Sequence, residues 1–203
     1  MKELLFVNAC IREQSRTEEL SRQYLKTLEN EFQIEEIKLT ELDLKPLDAA
    51  ALKQRDEDCS AWKLQSQKYC LAQQFAAADC IVIAAPYWDC LFPAILRIYL
   101  EQICVVGITF AYDENGTPVK TCLAERLVYI TSCGGFLPEH AAVKSLVFEM
   151  GKLFSIEDVR FYAAEGLDVF PDKTQDILSE TLHKMLDSAT KSEHSKDSGF
   201  NRR

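Results

Sequence analysis

The chain has 203 residues, of which 47% are hydrophobic and 27% are charged, with 7 Gly and 6 Pro. A chain of this length and composition forms one globular domain that buries enough apolar surface to fold without a disulfide or a structural metal. Its formal net charge of -9 disfavours binding to nucleic acid and to anionic membrane surfaces, because both carry negative charge.

The apolar runs argue against a membrane-spanning protein, and the cysteines argue against a protein held by disulfides or by a metal–cysteine site. No apolar run approaches the roughly 18 residues that a membrane span requires. The chain enters a strand-like run at Leu4 without an apolar signal region, so we expect a cytoplasmic protein. The eight cysteines are dispersed and form no Cys-x-x-Cys pair, which indicates reduced thiols and no zinc or iron–sulfur site.

The hydrophobic pattern predicts five strands that alternate with helices. The predicted strands are short apolar runs that cover residues 4–7, 32–39, 80–85, 127–132 and 159–164. The predicted helices carry apolar residues at helical spacing and cover residues 17–30, 56–78, 93–106, 139–154 and 172–189. The turn residues Asp113-Glu114-Asn115-Gly116 predict a small hairpin within residues 109–119.

This alternation predicts an α/β domain of three layers with a five-stranded parallel sheet, because right-handed crossovers place helices on both faces. If the strand order is the common 2-1-3-4-5, the loops after the first, third and fourth strands converge on one crevice. These loops cover residues 9–17, 86–92 and 133–138. We assign residues 1–190 to this domain and predict a disordered tail over residues 191–203, which lacks apolar periodicity.

The first of these loops has the residues of an anion site. Ser15 and Thr17 offer hydroxyls at the start of a predicted helix, and Arg12 and Arg16 add positive charge there. The other interpretation is that Ser15 or Thr17 only caps the helix.

The second and third loops supply an aromatic and a glycine-rich segment. Tyr87 and Trp88 end the third strand, where they either contact a planar ligand or cover the core. Gly134 and Gly135 lack side chains, so backbone amides there can approach a ligand closely, although the pair also fits a simple turn.

Together these segments resemble the flavodoxin-like, FMN-dependent NAD(P)H oxidoreductases, the family that includes the NADH-azoreductases and related quinone reductases. The resemblance extends from about Leu4 to Gly166 and is most specific in residues 15–17, 84–89, 107–116 and 131–135. It implies a flavodoxin-like fold that binds FMN and takes electrons from NADH or NADPH. It also implies a ping-pong, two-electron reduction of quinones, azo or nitro compounds through flavin N5.

The resemblance further implies which residues contact the cofactor and the electron acceptor. The flavin carries the hydride, so no side chain acts as a nucleophile. The implied FMN contacts are Cys10, Ser15, Arg16, Thr17, Pro86, Tyr87, Trp88, Asp89, Ser132, Cys133, Gly134 and Gly135. Family members are homodimers with the acceptor pocket at the subunit interface, and the corresponding pocket residues are Phe92, Phe110, Tyr112 and Phe136. The chain departs from the azoreductase pattern at Asp89, where that pattern has Asn.

Two other classes fit parts of the sequence. Residues 10–17 match the pattern C-x5-R-[ST] and resemble the phosphate loop of low-molecular-weight tyrosine phosphatases. In that interpretation Cys10 attacks phosphorus and Arg16 binds the phosphate oxygens. The chain has no Asp-Pro pair to supply the general acid, and the interpretation leaves Tyr87 and Gly134 without a role. The second of these classes is a non-enzymatic flavodoxin-like electron carrier.

Overall fold

A computed structural model describes the backbone of residues 1–197 and the side chains of residues 1–188. In chain order the strands and helices are β1 (Lys2–Asn8), α1 (Arg16–Lys26), β2 (Phe32–Lys38), α2 (Ala49–Ser60), α3 (Cys70–Ala77), β3 (Cys80–Ala84), α4 (Ala94–Ile103), β4 (Ala111–Tyr112), β5 (Pro118–Val119), β6 (Arg126–Ser132), α5 (Ala142–Leu153), β7 (Asp158–Ala164) and α6 (Thr174–Asp197).

Five of these strands form one parallel sheet in the order β2-β1-β3-β6-β7. This is the predicted order 2-1-3-4-5, because β4 and β5 form a separate antiparallel hairpin. Leu4 of β1 lies between Ile34 of β2 and Cys80 of β3 in the register of the sheet. The predicted fold class is therefore confirmed, and the carboxyl ends of the five strands lie at one edge of the sheet.

Helices cover both faces of the sheet. Because successive side chains of a strand point to opposite sides, each strand contributes to two hydrophobic cores. On one face, Leu5 of β1 belongs to a core that includes Phe75 of α3 and Tyr99 of α4. On the other face, Leu4 belongs to a core that includes Tyr24 of α1 and residues of α6. Every residue of β3 is buried, as expected for the central strand of a doubly covered sheet.

The single helix predicted over residues 56–78 is wrong. The structure has two helices there, α2, which begins earlier and ends at Ser60, and α3, which begins at Cys70, with a connection between them. Asp48 begins α2 because its side chain accepts a hydrogen bond from the Ala51 amide at 2.8 Å. Trp62 lies just after α2 with a φ of 55° and is 80% exposed, so it does not belong to the buried face of a continuous helix over residues 56–78.

The predicted disordered tail overlaps the last helix. Helix α6 continues to Asp197, whereas the tail is predicted to begin at residue 191. No Pro or Gly interrupts residues 191–197, so nothing in this stretch breaks a helix that α6 has already nucleated. The rest of the predicted tail, residues 198–203, lies outside the described residues. In the part of the chain that is described, no helix is long and apolar enough to cross a bilayer.

Asp158 joins the first residues of β6 and β7. Its carboxylate accepts a hydrogen bond from Arg126 Nε at 2.8 Å and two from Arg160, also at 2.8 Å. Burial alone would raise the pKa of Asp158, but the hydrogen bonds from the two guanidinium groups outweigh it, so the pKa lies below its usual value. The carboxylate therefore contributes to the stability of this sheet edge in its charged form.

We expect Asp158→Asn to lower the free energy of unfolding at neutral pH by about 1–2 kcal/mol, since two guanidinium groups lose a charged acceptor at a partly exposed site. A depressed pKa in the folded state means that this stabilisation is present above the unfolded value of 3.8 and is lost as the pH falls through the folded value. Urea unfolding near pH 7 and near pH 3 measures both effects. The exposed neighbour Glu157 gives the control Glu157→Gln, and a deficit of equal size at both pH values would contradict the assignment.

Candidate active site

The loops that follow β1, β3 and β6 line one cleft at the carboxyl edge of the sheet, together with the loop that follows β7. The lining residues are Ile11, Arg12, Gln14, Ser15, Arg16, Thr17, Pro86, Tyr87, Trp88, Ser132, Cys133, Gly134 and Asp168. Nine of the twelve residues expected to contact FMN are among them. The structure thus brings the three predicted loops together, as the strand order requires.

Hydrogen bonds fix the three loops to one another. The hydroxyls of Thr17 and Ser132, both buried, are 2.6 Å apart and join the start of α1 to the end of β6. The amide of Tyr87 donates to the carbonyl of Ser132 at 3.0 Å, which joins the aromatic loop to the same residue. The relative positions of the loops are therefore set before any ligand binds.

The start of α1 carries a helix cap and lies at the edge of the cleft. Ser15 is the N-cap, and its hydroxyl accepts a hydrogen bond from the Glu18 amide at 3.3 Å. Ser15 therefore caps α1, as one of the two interpretations of this residue predicts. The first amides of a helix have no acceptor within the helix, and they lie at the positive end of its dipole. Arg16, the first residue of α1, lines the cleft beside them.

The aromatic loop ends in a tight turn. The Arg12 guanidinium lies 5.4 Å from the centre of the Trp88 ring, a cation–π distance. Asp89 and Cys90 have φ values of 50° and 65°, and the Leu91 amide donates to the Trp88 carbonyl at 2.8 Å. These features define a type I′ turn. Asp89 is exposed in this turn and does not line the cleft.

The two glycines of the third loop have different surroundings. A Cβ at Gly134 would overlap the carboxylate of Asp168, so this residue must be glycine for Asp168 to keep its place. A Cβ at Gly135 would have no atom within 4 Å, so the space beside this residue is open. Gly135 is exposed, and unlike Gly134 it is not among the residues that line the cleft.

Cys10 is buried beneath the first loop and does not line the cleft. Its side chain is 2% exposed, and its Sγ lies 3.8 Å from the carbonyl oxygen of Ala84. Burial raises the pKa of the thiol to about 12, although a hydrogen bond with Ser15 acts in the opposite direction. A thiol with this pKa is neutral at pH 7, so the phosphatase interpretation lacks its nucleophile.

The four aromatic residues expected in the acceptor pocket lie outside this cleft. Phe92 is 6% exposed and belongs to the core, because the turn after Trp88 directs it inward. Phe110 and Tyr112 contact each other edge to face at a ring distance of 5.6 Å, and Tyr112 is 52% exposed. Phe136 is 62% exposed and packs edge to face with Phe170 at 6.4 Å.

Asp168 is the cleft residue that lies outside the three predicted loops. It lies in the loop after β7, and its Oδ1 accepts a hydrogen bond from Arg16 Nη2 at 2.8 Å. The strand order could have predicted that this loop lines the cleft, because the last strand also ends at the carboxyl edge of the sheet. Within the described residues, no group of three or more His, Cys, Asp or Glu side chains is placed to hold a metal ion.

Comparison with known proteins assigns the chain to a family. A sequence profile of the flavodoxin-like fold matches residues 2–189, so the chain belongs to this family. An FMN-dependent NADH:quinone oxidoreductase from Caldicellulosiruptor bescii is 32% identical over 98% of this chain and 100% of its own length. FMN-dependent NADH:quinone oxidoreductase 2 from Clostridium acetobutylicum is 40% identical over 126 residues, and the aligned segment spans only 61% of that relative's length.

Solved structures show the same fold. An azoreductase from Bacillus anthracis superposes with a TM-score of 0.80 at 24% identity, covering 94% of this chain and 100% of the azoreductase. An NAD(P)H:quinone oxidoreductase from Methanothermobacter marburgensis superposes with a TM-score of 0.65 at 14% identity, covering 90% of this chain and 96% of the other. The resemblance drawn from the sequence is thus confirmed at the level of family and fold.

The burial of Cys10 predicts how the thiols react. We expect iodoacetamide near neutral pH to label exposed Cys90 well before Cys10, because Cys10 is both inaccessible and protonated. Peptide mass mapping over time measures the two rates. Cys90→Ser serves as the control, since it removes the early label and leaves Cys10 unchanged. Early labelling of Cys10 would restore the phosphatase alternative.

Proposed function

We propose that this chain is an FMN-dependent NADH:quinone oxidoreductase that also accepts azo or nitro compounds. The observation that carries the proposal is the meeting of Arg16, Trp88 and Gly134 in one cleft at the carboxyl edge of the sheet. Relatives in the same family are named for this activity. FMN and a nicotinamide donor are therefore the ligands we assign to the cleft.

The residues of the cleft fit the parts of FMN. The start of α1, with Arg16 and the first helix amides, would hold the phosphate. The half-buried rings of Tyr87 and Trp88 would contact the flavin ring, and the open space beside Gly135 leaves room for its pyrimidine edge. These contacts combine one anion site, one aromatic surface and one exposed backbone segment, which is what a phosphorylated planar ligand requires.

The protein's contribution is binding and electrostatic preorganisation. When bound, FMN supplies hydride and two-electron transfer between the nicotinamide and the acceptor. Backbone amides near Gly134 and Gly135 would stabilise negative charge at the pyrimidine edge, and they need no reorganisation because hydrogen bonds already hold this turn. Thr17 and Ser132 keep the anion site and the ring site at a fixed separation.

We place the acceptor pocket at an interface between two copies of the chain. Phe136 and Phe170 pack against each other while 62% and 46% exposed, Val169 beside Phe170 is 51% exposed and Tyr112 is 52% exposed, and adjacent exposed apolar side chains are typical of an interaction surface. A second copy would cover them and would complete a pocket that one chain leaves open. We also propose that the enzyme acts in the cytoplasm, where nicotinamide cofactors are available and thiols stay reduced.

A direct test uses the purified protein with added FMN. We expect a yellow complex that NADH bleaches in the absence of air and that a quinone restores, because the two half-reactions use one cofactor in turn. The measurement is the absorbance of the oxidised flavin during each addition. A flavodoxin-like carrier would bind FMN but would not be bleached by NADH or NADPH at a catalytic rate. Steady hydrolysis of an aryl phosphate by flavin-free protein would favour the phosphatase instead.

The ring position can be tested by fluorescence. The chain has two tryptophans, Trp62 and Trp88, and Trp62 lies 80% exposed outside the cleft. In Trp62→Phe, which leaves Trp88 as the reporter, we expect saturable quenching during titration with FMN because the rings come into contact. The matched variant Trp88→Phe should lose most of this quenching. Equal quenching in the two variants would remove Trp88 from the flavin site.

A further inference from the structure

The loop between β7 and α6 is hydrogen-bonded along its backbone to the Gly134-Gly135 turn. The Asp168 amide donates to the Gly134 carbonyl at 2.9 Å, and the Gly166 amide donates to the Gly135 carbonyl at 2.6 Å. The Asp168 side chain fills the space beside Gly134 in which a Cβ would otherwise lie. The backbone thus holds this carboxylate within the cleft.

The same carboxylate pairs with the arginine of the anion site. Arg16 Nη2 donates to Asp168 Oδ1 at 2.8 Å, with the side chains of Arg16 and Asp168 exposed to 32% and 70%. An ion pair this exposed contributes little to folding stability. The ion pair matters instead because it occupies Arg16, which an anion bound in the cleft would also contact.

Asp168 is the one acidic side chain among the described residues that line the cleft, which also contains Arg12 and Arg16. A phosphate bound at the start of α1 must share Arg16 with Asp168 and must lie close to its negative charge. Both effects oppose the binding of an anion, by loss of hydrogen bonds and by Coulomb repulsion. Neither effect acts on an uncharged ligand of the same shape.

We infer that Asp168 is a specificity-determining residue, a tethered carboxylate that competes with the ligand's phosphate for Arg16 and reduces the preference of the cleft for FMN over riboflavin. This inference rests on the proposed function, because it takes the FMN phosphate to lie at the start of α1. We therefore expect FMN to dissociate from the cleft more readily than it would if Asp168 did not pair with Arg16.

The test compares the dissociation constants of FMN and riboflavin, measured by quenching of flavin fluorescence. We expect Asp168→Asn to bind FMN about three- to tenfold more tightly than the wild type, and riboflavin within about twofold of it. The control Asp172→Asn removes the same charge from an exposed residue outside the cleft and should change neither constant. Asp168→Ser provides a second neutral variant if the asparagine protein folds poorly.

A double-mutant cycle separates competition from a structural effect. Because the competition acts through Arg16, the effect of Asp168→Asn on FMN should be smaller in an Arg16→Gln background, where only the Coulomb repulsion between Asp168 and the phosphate remains. Unchanged or weaker FMN binding by Asp168→Asn, or equal tightening of riboflavin, overturns the inference and leaves the proposed function intact.

Inorganic phosphate gives a readout that does not depend on flavin. If the wild type binds no FMN, the proposed function fails, and the competition is then tested by thermal unfolding in phosphate. We expect phosphate to raise the Tm of Asp168→Asn more than that of the wild type, at a matched ionic strength set with chloride. Equal shifts in the two proteins overturn the inference.

Discussion

The parallel alignment of five strands is the constraint on which the rest of the structure depends. Right-handed crossovers return every strand in the same direction, so each loop that leaves a carboxyl end reaches the same edge of the sheet. The order β2-β1-β3-β6-β7 then brings the loop after β1 beside the loops after β3 and β6. For this reason Thr17 and Ser132, which are 115 positions apart in the chain, share a hydrogen bond.

Hydroxyl groups in the cleft take part in the protein's own hydrogen bonds. The oxygen of Ser15 accepts from the Glu18 amide, and the hydroxyls of Thr17 and Ser132 bond to each other. Besides these hydroxyls, the cleft offers a ligand backbone groups, the charge of Arg16 and the faces of aromatic rings. Such a site loses little free energy to reorganisation, because the groups that hold its shape are already satisfied.

The sequence predicts those parts of the fold and site that depend on local patterns. Apolar periodicity located the strands, and the loops after them contain most of the cleft residues. Asp168 could not be found in this way, because its place depends on backbone pairing with Gly134, a contact between distant segments. The single helix predicted over residues 56–78 is wrong because the backbone turns left-handed at Trp62, just after α2 ends. The burial of Phe92 in the core could not be predicted either, because it follows a tight turn that apolar periodicity does not indicate.

The turn after Trp88 restricts which residues this rim of the cleft can carry. Asp89 and Cys90 are left-handed without being glycine, a conformation that Asn and Asp tolerate best and that β-branched residues resist. Position 89 therefore accepts Asp, Asn or Gly with the least backbone strain. These three residues differ in charge, since Asp carries one negative charge and Asn and Gly carry none. The charge at this rim of the cleft can thus change by one unit without a change in the path of the main chain.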